Sequence, residues 1–130
     1  MKKNIWIIDD DAIYQVIINK LIEKSQLFSA NTTYKNGKEA IDRLNQIAAN
    51  TELIPDIILL DINMPIMDGW EFMEEMKQIK PKIDKKIIIY IVTSSIALED
   101  KKKSKQFSDI FDYISKPISI EDIKKIAQNE

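Results

Sequence analysis

Asp61 closes the apolar run Ile57-Ile58-Leu59-Leu60, and Asp9, Asp10 and Asp11 follow directly on Ile5-Trp6-Ile7-Ile8. A carboxylate at the C-terminal tip of a buried strand stands where an open α/β sheet holds its ligands. Two more strand-like runs end in polar groups: Val92 leads into Thr93, and Ser115 into Lys116-Pro117. In a parallel sheet these tips share one edge, so residues remote in sequence converge on a patch of three carboxylates, a hydroxyl and an ammonium. Two carboxylates about 5 Å apart repel by roughly 3 kcal/mol at an effective dielectric near 20, and a third strains the site unless a cation joins it. Oxygen donors without His or Cys select a hard ion, and Mg²⁺ suits a site that keeps water beside a phosphate better than Ca²⁺ does. A carboxylate beside such an ion can act as a nucleophile toward phosphorus, with Lys116 and the Thr93 hydroxyl sharing the phosphoryl oxygens.

Composition removes most competing chemistries. The chain has no His, which excludes a Ser-His-Asp triad, a His general base and every His-ligated metal site. It has no Cys, so disulfides and thiolate zinc sites are absent. Gly37 and Gly69 are its only glycines, too few for a G-x-G-x-x-G turn or a P-loop. With 130 residues, 45% hydrophobic and 31% charged, it fits one soluble domain with its own core. No apolar run nears the ~20 residues of a membrane span. The net charge of -2, from 19 basic and 21 acidic residues, gives no pull toward nucleic acid or anionic membrane. Met1-Lys2-Lys3-Asn4 leads straight into the first apolar run, so a secretory signal is not expected and the expected location is cytoplasmic.

The elements that must position these groups alternate between short apolar runs and amphipathic stretches, the pattern of βα units around a parallel sheet. Strands are expected at about 4–8, 29–34, 56–60, 87–92 and 111–115. Of these, Ile87 to Val92 reads as a strand buried on both faces. The first helix is expected to turn Ile13, Val16, Ile17 and Leu21 inward, and the second Ala40, Ile41, Leu44, Ile47 and Ala48. A third opens at Gly69, with Trp70, Phe72, Met73, Met76 and Ile79 mostly toward the core, and is ended by Pro81. A lysine-rich helix follows from about Ala97 to Gln106, and a last one opens at Ser119 with Asp122 as its capping-box acid. These elements fill residues 1–130 and leave no linker or repeat that would mark a second module.

Each site residue also has a plainer reading. Asp10 or Asp11 could cap the first helix, and Thr93 or Ser94 could do the same for the fourth. Asp61 could bind only local backbone amides, and Lys116 could be solvated. Lys101, Lys102, Lys103 and Lys105 read as a solvated helix face, with partner docking as the alternative. The ordered set is more specific than any member.

That set resembles the receiver domain of two-component response regulators, specifically the single-domain chemotaxis type. The resemblance runs over essentially the whole chain: the acidic pair after Ile8, Leu60-Asp61-Ile62-Asn63-Met64-Pro65 with Met67-Asp68-Gly69, Val92-Thr93-Ser94, and Ser115-Lys116-Pro117. It implies a doubly wound α/β fold with five parallel strands in the order 2-1-3-4-5, forming one receiver domain over 1–130 without an output domain. It implies that Asp61 accepts a phosphoryl group from a phosphohistidine of a sensor histidine kinase or histidine phosphotransfer protein. Asp10, Asp61 and the Asn63 backbone carbonyl would bind Mg²⁺ directly, with Asp9 acting mainly through water. Thr93 and Lys116 would contact the phosphoryl group, and Tyr113 would swing inward on activation. The Lys116-Pro117 bond is expected to be cis. The downstream protein would dock on the face of the fourth helix, fifth strand and fifth helix, the chain being a monomer or a weak phosphorylation-dependent dimer. Asn63 and Ser95 would tune access of water to phosphorus, giving modest self-dephosphorylation.

Two other function classes are open. A phosphohydrolase using Asp61 as nucleophile needs a second carboxylate two residues on, where this chain has Asn63, and a cap insertion that it lacks. A phosphorylation-independent binding module would be suggested by loss of a site residue, and none is lost. The segment from Gly37 to Pro55 is long for one helix and its loop, and the last helix ends soon after Ala127, so docking surfaces could depart from the family pattern.

Overall fold

The computed structural model describes residues 2–94 and 98–129, apart from the side chains of Leu98 and Glu99. Its strands are β1 (Lys3–Ile8), β2 (Phe28–Tyr34), β3 (Ile57–Leu60), β4 (Ile88–Thr93) and β5 (Ile110–Ser115). They form one sheet in the order β2-β1-β3-β4-β5, with every neighbouring pair parallel. The helices are α1 (Ala12–Ser25), α2 (Gly37–Ile47), α3 (Gly69–Ile79), α4 (Leu98–Ser104) and α5 (Ile120–Gln128). The alternation is the one expected from the residue pattern, with strand boundaries moved by a residue or so, and the strand order is the one the resemblance implies.

Alternation along the strands splits the core in two. Trp6, Ile8, Ile58, Leu60, Ile89 and Ile91 face one side of the sheet and pack with Leu44 of α2 and Phe72, Met73 and Met76 of α3. Ile5, Ile7, Ile57, Leu59, Tyr90 and Val92 face the other side, under Ile18 and Ile22 of α1 and Ile123 and Ile126 of α5. The central strand β3 is buried at every position, which is why it reads as continuous Ile and Leu. Ala48, just past the end of α2, is only half-buried, and in α3 Trp70 sits at the core margin. The long connection after α2 is anchored by fully buried Ile54. Pro81 falls in a single 3₁₀ turn, Lys80–Lys82, that finishes α3. The expected start of the fourth helix at Ala97 lies outside the described residues.

One helix face departs from expectation. Ile13, Val16 and Ile17 are 75%, 54% and 54% exposed, whereas α1 buries Ile18 and Ile22 and half-buries Tyr14 and Leu21. Both stripes have helical spacing, but the one through Ile13 and Ile17 continues into Lys20 and Lys24, both exposed. Burying those ammonium groups without partners costs more than exposing three aliphatic side chains gains. The stripe through Tyr14, Ile18, Leu21 and Ile22 carries no charge and takes the sheet.

Helix starts fix the loops at the sheet's C-terminal edge. The Asp11 side chain accepts from the amides of Ile13 and Tyr14, making it the N-cap of α1. Asp68 with Glu71 and Ser119 with Asp122 form complete capping boxes at α3 and α5. The Lys116-Pro117 peptide is cis, as expected. Gly69 is needed for close approach: its N–H donates to the Ile62 carbonyl at 2.8 Å, and a β-carbon there would stand 2.6 Å from the Asp61 carbonyl oxygen. Gly69→Ala must therefore displace the Asp61-Ile62 backbone. The expected loss is roughly 1–3 kcal/mol, read by urea unfolding, and a variant as stable as its parent would contradict this close approach.

Candidate functional site

Backbone pairing delivers the acids. Asp61 continues the β1–β3 ladder, its N–H donating to Ile8 O at 2.9 Å, and its Oδ1 accepts from the Ile62 amide at 2.8 Å. The Asp9 N–H donates to Tyr34 O at 3.0 Å, and Asp9 Oδ1 accepts from the Asp11 amide at 2.9 Å. The Gln15 side-chain amide donates to the carbonyls of both Asp9 and Tyr34, stitching the β1–α1 loop to the end of β2. With Asp11 engaged as cap, Asp10 is left exposed at the mouth of the site.

Carboxylate oxygens of Asp9, Asp10 and Asp61 all lie within 4.8 Å of one another. Asp9 and Asp61 are buried, at 2% and 7% exposed, while Asp10 opens to solvent. The positive charge facing them is Lys116, whose Nζ is 2.6 Å from Asp9 Oδ2 and 3.7 Å from Asp61 Oδ2. Its backbone N–H donates to Thr93 O at 2.9 Å, joining the tips of β4 and β5. Thr93 is buried, at 4% exposed. The sequence-predicted acids, threonine and lysine are thus gathered on one edge. Asn63 follows in the β3–α3 loop with its side chain exposed, and Ser95 lies outside the described residues. Tyr113 is apart from the acids, 36% exposed on β5, with Lys101 Nζ 5.6 Å from its ring centroid.

Two neighbours of the acids escaped the sequence reading. Gln15 supports the loop through backbone carbonyls, and Tyr14 lies under Lys116, whose Nζ is 4.4 Å from the ring centroid. Tyr14 has the spacing of a core residue of α1, so only the position of Lys116 reveals it.

The electrostatics follow from this packing. Burial, reinforced by the Asp9 charge, raises the Asp61 carboxyl from 3.8 to about 6; Lys116 and the Ile62 N–H pull the other way, and Asp10 adds to the rise. In the metal-free chain, Asp61 therefore holds a proton in the fold at pH values where the unfolded side chain has lost it. Its stabilisation is complete below 3.8 and is lost as pH rises through about 6. The amount is on the order of 3 kcal/mol. Asp61→Asn, which cannot ionise, is expected to gain stability over its metal-free parent as pH climbs from about 4 to about 7.5, and Mg²⁺ is expected to close that gap. Thermal unfolding across that range checks it; a gap independent of pH would contradict the raised carboxyl.

Residues 5–128 match the family described as the response regulator receiver domain, and the chain belongs to that family. It is 34% identical over 119 residues to a protein-glutamate methylesterase/protein-glutamine glutaminase of Treponema pallidum, covering 90% of this chain and 27% of that protein. The chain thus spans about a quarter of that relative's length. A two-component response regulator from Cytophaga hutchinsonii has a similar structure, with a TM-score of 0.86, 28% identity and full coverage of both chains. The phosphorylated cyanobacterial phytochrome response regulator RcpA aligns with a TM-score of 0.77 and 28% identity, over 98% of this chain and 90% of that one.

Proposed function

We propose that this receiver domain accepts a phosphoryl group on Asp61 from a phosphohistidine of a sensor histidine kinase or histidine phosphotransfer protein, and signals through a changed protein-binding surface. The observation that carries this reading is the meeting of Asp9, Asp10 and Asp61 within 4.8 Å beside the Lys116 ammonium. An Asp61 oxygen attacks phosphorus, the phosphorus–nitrogen bond breaks, and the imidazole nitrogen keeps the electron pair. Lys116 and the Thr93 hydroxyl meet the phosphoryl oxygens, placing a positive charge and a donor where negative charge accumulates.

The donor set fits Mg²⁺: it is all oxygen, strongly acidic and open to water on the Asp10 side. Asp10, Asp61 and the Asn63 carbonyl would hold the ion, with Asp9 acting through water. When bound, the ion neutralises the acids and draws charge from the phosphoryl group. Asn63 leaves a small polar group near phosphorus, in keeping with slow self-dephosphorylation. The phosphohydrolase alternative is not favoured, since Asn63 supplies an amide where that chemistry needs an acid.

Two surfaces suit partners. Ile13 and Ile17 of α1 and Ile66 of the β3–α3 loop are exposed at 75%, 54% and 79%, near the edge that carries the acids. This apolar rim suits contact with the protein that presents the phosphohistidine. The downstream face is that of α4, β5 and α5, where Phe111 and Tyr113 are exposed on β5. The added charge at Asp61 is read by Thr93 and Lys116 and passed to Tyr113, whose ring turns inward. The setting we propose is the cytoplasm, in keeping with the lack, among the described residues, of a helix long and apolar enough to cross a membrane.

Intact-mass analysis after incubation with phosphoramidate tests the acceptor. The expected result is one added phosphoryl group, dependent on Mg²⁺ and absent in Asp61→Asn. Equal labelling of both proteins would refute the assignment. For the relay, Tyr113→Ala is expected to keep that labelling while losing the phosphorylation-linked change in amide exchange across 98–115. An undiminished exchange response would count against Tyr113 as the reporter.

A further inference from the structure

Lys116 reaches the acids on a flexible four-carbon stem, and an ammonium so carried is placed only as well as its surroundings hold it. Asp9 alone would draw it away from Asp61, since the two contacts are 2.6 Å and 3.7 Å. The third support is Tyr14, whose ring lies 4.4 Å from Nζ at its centroid. The ring is itself held by packing against the core formed by Ile5, Ile7, Ile18 and their neighbours. An aromatic face attracts a cation without taking up a specific N–H, so the ammonium keeps donors for an incoming anion. The Tyr14 hydroxyl is buried and has no hydrogen-bond partner among the described residues. Burial and the charges of Asp9 and Asp61 drive its ionisation well above the usual tyrosine range, so the ring stays neutral and its face remains attractive to a cation.

We propose that Tyr14 is a positioning residue for Lys116: its ring face holds the ammonium between Asp9 and Asp61, ready to meet the phosphoryl group. This rests on the reading of Asp61 as phosphoacceptor. The ring carries the effect and the hydroxyl does not, which separates two conservative changes. Tyr14→Phe keeps the aromatic face, whereas Tyr14→Leu keeps apolar bulk without it.

The test measures the rate of Asp61 labelling by phosphoramidate at fixed Mg²⁺ for the parent and both variants. Lys116 Cε proton resonances, recorded on the same samples, report whether the side chain still lies over a ring. Tyr14→Leu is expected to label roughly tenfold more slowly and to lose the ring-current shift at Lys116, while Tyr14→Phe keeps the shift and stays within about twofold of the parent rate. Should the leucine variant fail to fold, Tyr14→Met tests the same loss of ring. The proposal is overturned if Leu or Met labels as fast as the parent, if Phe is slowed as much as Leu, or if the Lys116 resonances are the same with and without the ring. A parent protein that labels normally while these outcomes fail leaves the acceptor reading standing. A parent that does not label at Asp61 removes both.

Discussion

Three carboxylates within 4.8 Å of one another cannot all stay ionised without positive charge among them. In this chain that charge is Lys116, a side chain from the far edge of the sheet, and the site depends on its reaching the acids. Its contacts with Asp9 and Asp61 offset burial and repulsion only in part, since Asp61 is still pushed up to about 6. The pocket is therefore built to gain from a divalent cation and then from an anion that engages Lys116.

The rest of the fold serves to maintain that crowding. Parallel strands bring their C-terminal ends to one edge, and the ladder contacts of Asp9 and Asp61 set the acids' positions through backbone atoms. Asp11, spent as the cap of α1, leaves Asp10 at the open side. Gly69 lets α3 begin against the Asp61-Ile62 backbone, so the loop that contains Asn63 closes tightly behind the acceptor. Each of these is a local bond whose energy is modest, yet together they hold groups that repel one another.

Much of this was legible in the residues. Buried strands advertise themselves as continuous apolar runs, so β3 and β4 and the residues at their tips were clear. The capping box of α5 is short-range chemistry and reads directly from the spacing of Ser119 and Asp122. The edge strand β2 gives a weaker signal than these, because its exposed and half-buried positions hold Ser29, Asn31, Thr32 and Thr33 in place of aliphatics. The face of α1 was misassigned because the helix carries two apolar stripes, and the choice between them turns on where Lys20 and Lys24 would fall. Tyr14 was hidden for a related reason: helical spacing places it in the core, and only the three-dimensional path of Lys116 makes it part of the site.

The central claim is that the acids form one electrostatically coupled site whose strain a divalent cation relieves. Calorimetric titration of the metal-free protein with Mg²⁺, repeated in buffers of different ionisation enthalpy, counts the protons released on binding. The expected result is fractional proton release at about pH 6 that vanishes by about pH 8, with weaker binding and no such release in Asp61→Asn. Binding of equal strength in parent and Asp61→Asn, with no proton released at either pH, would contradict the account.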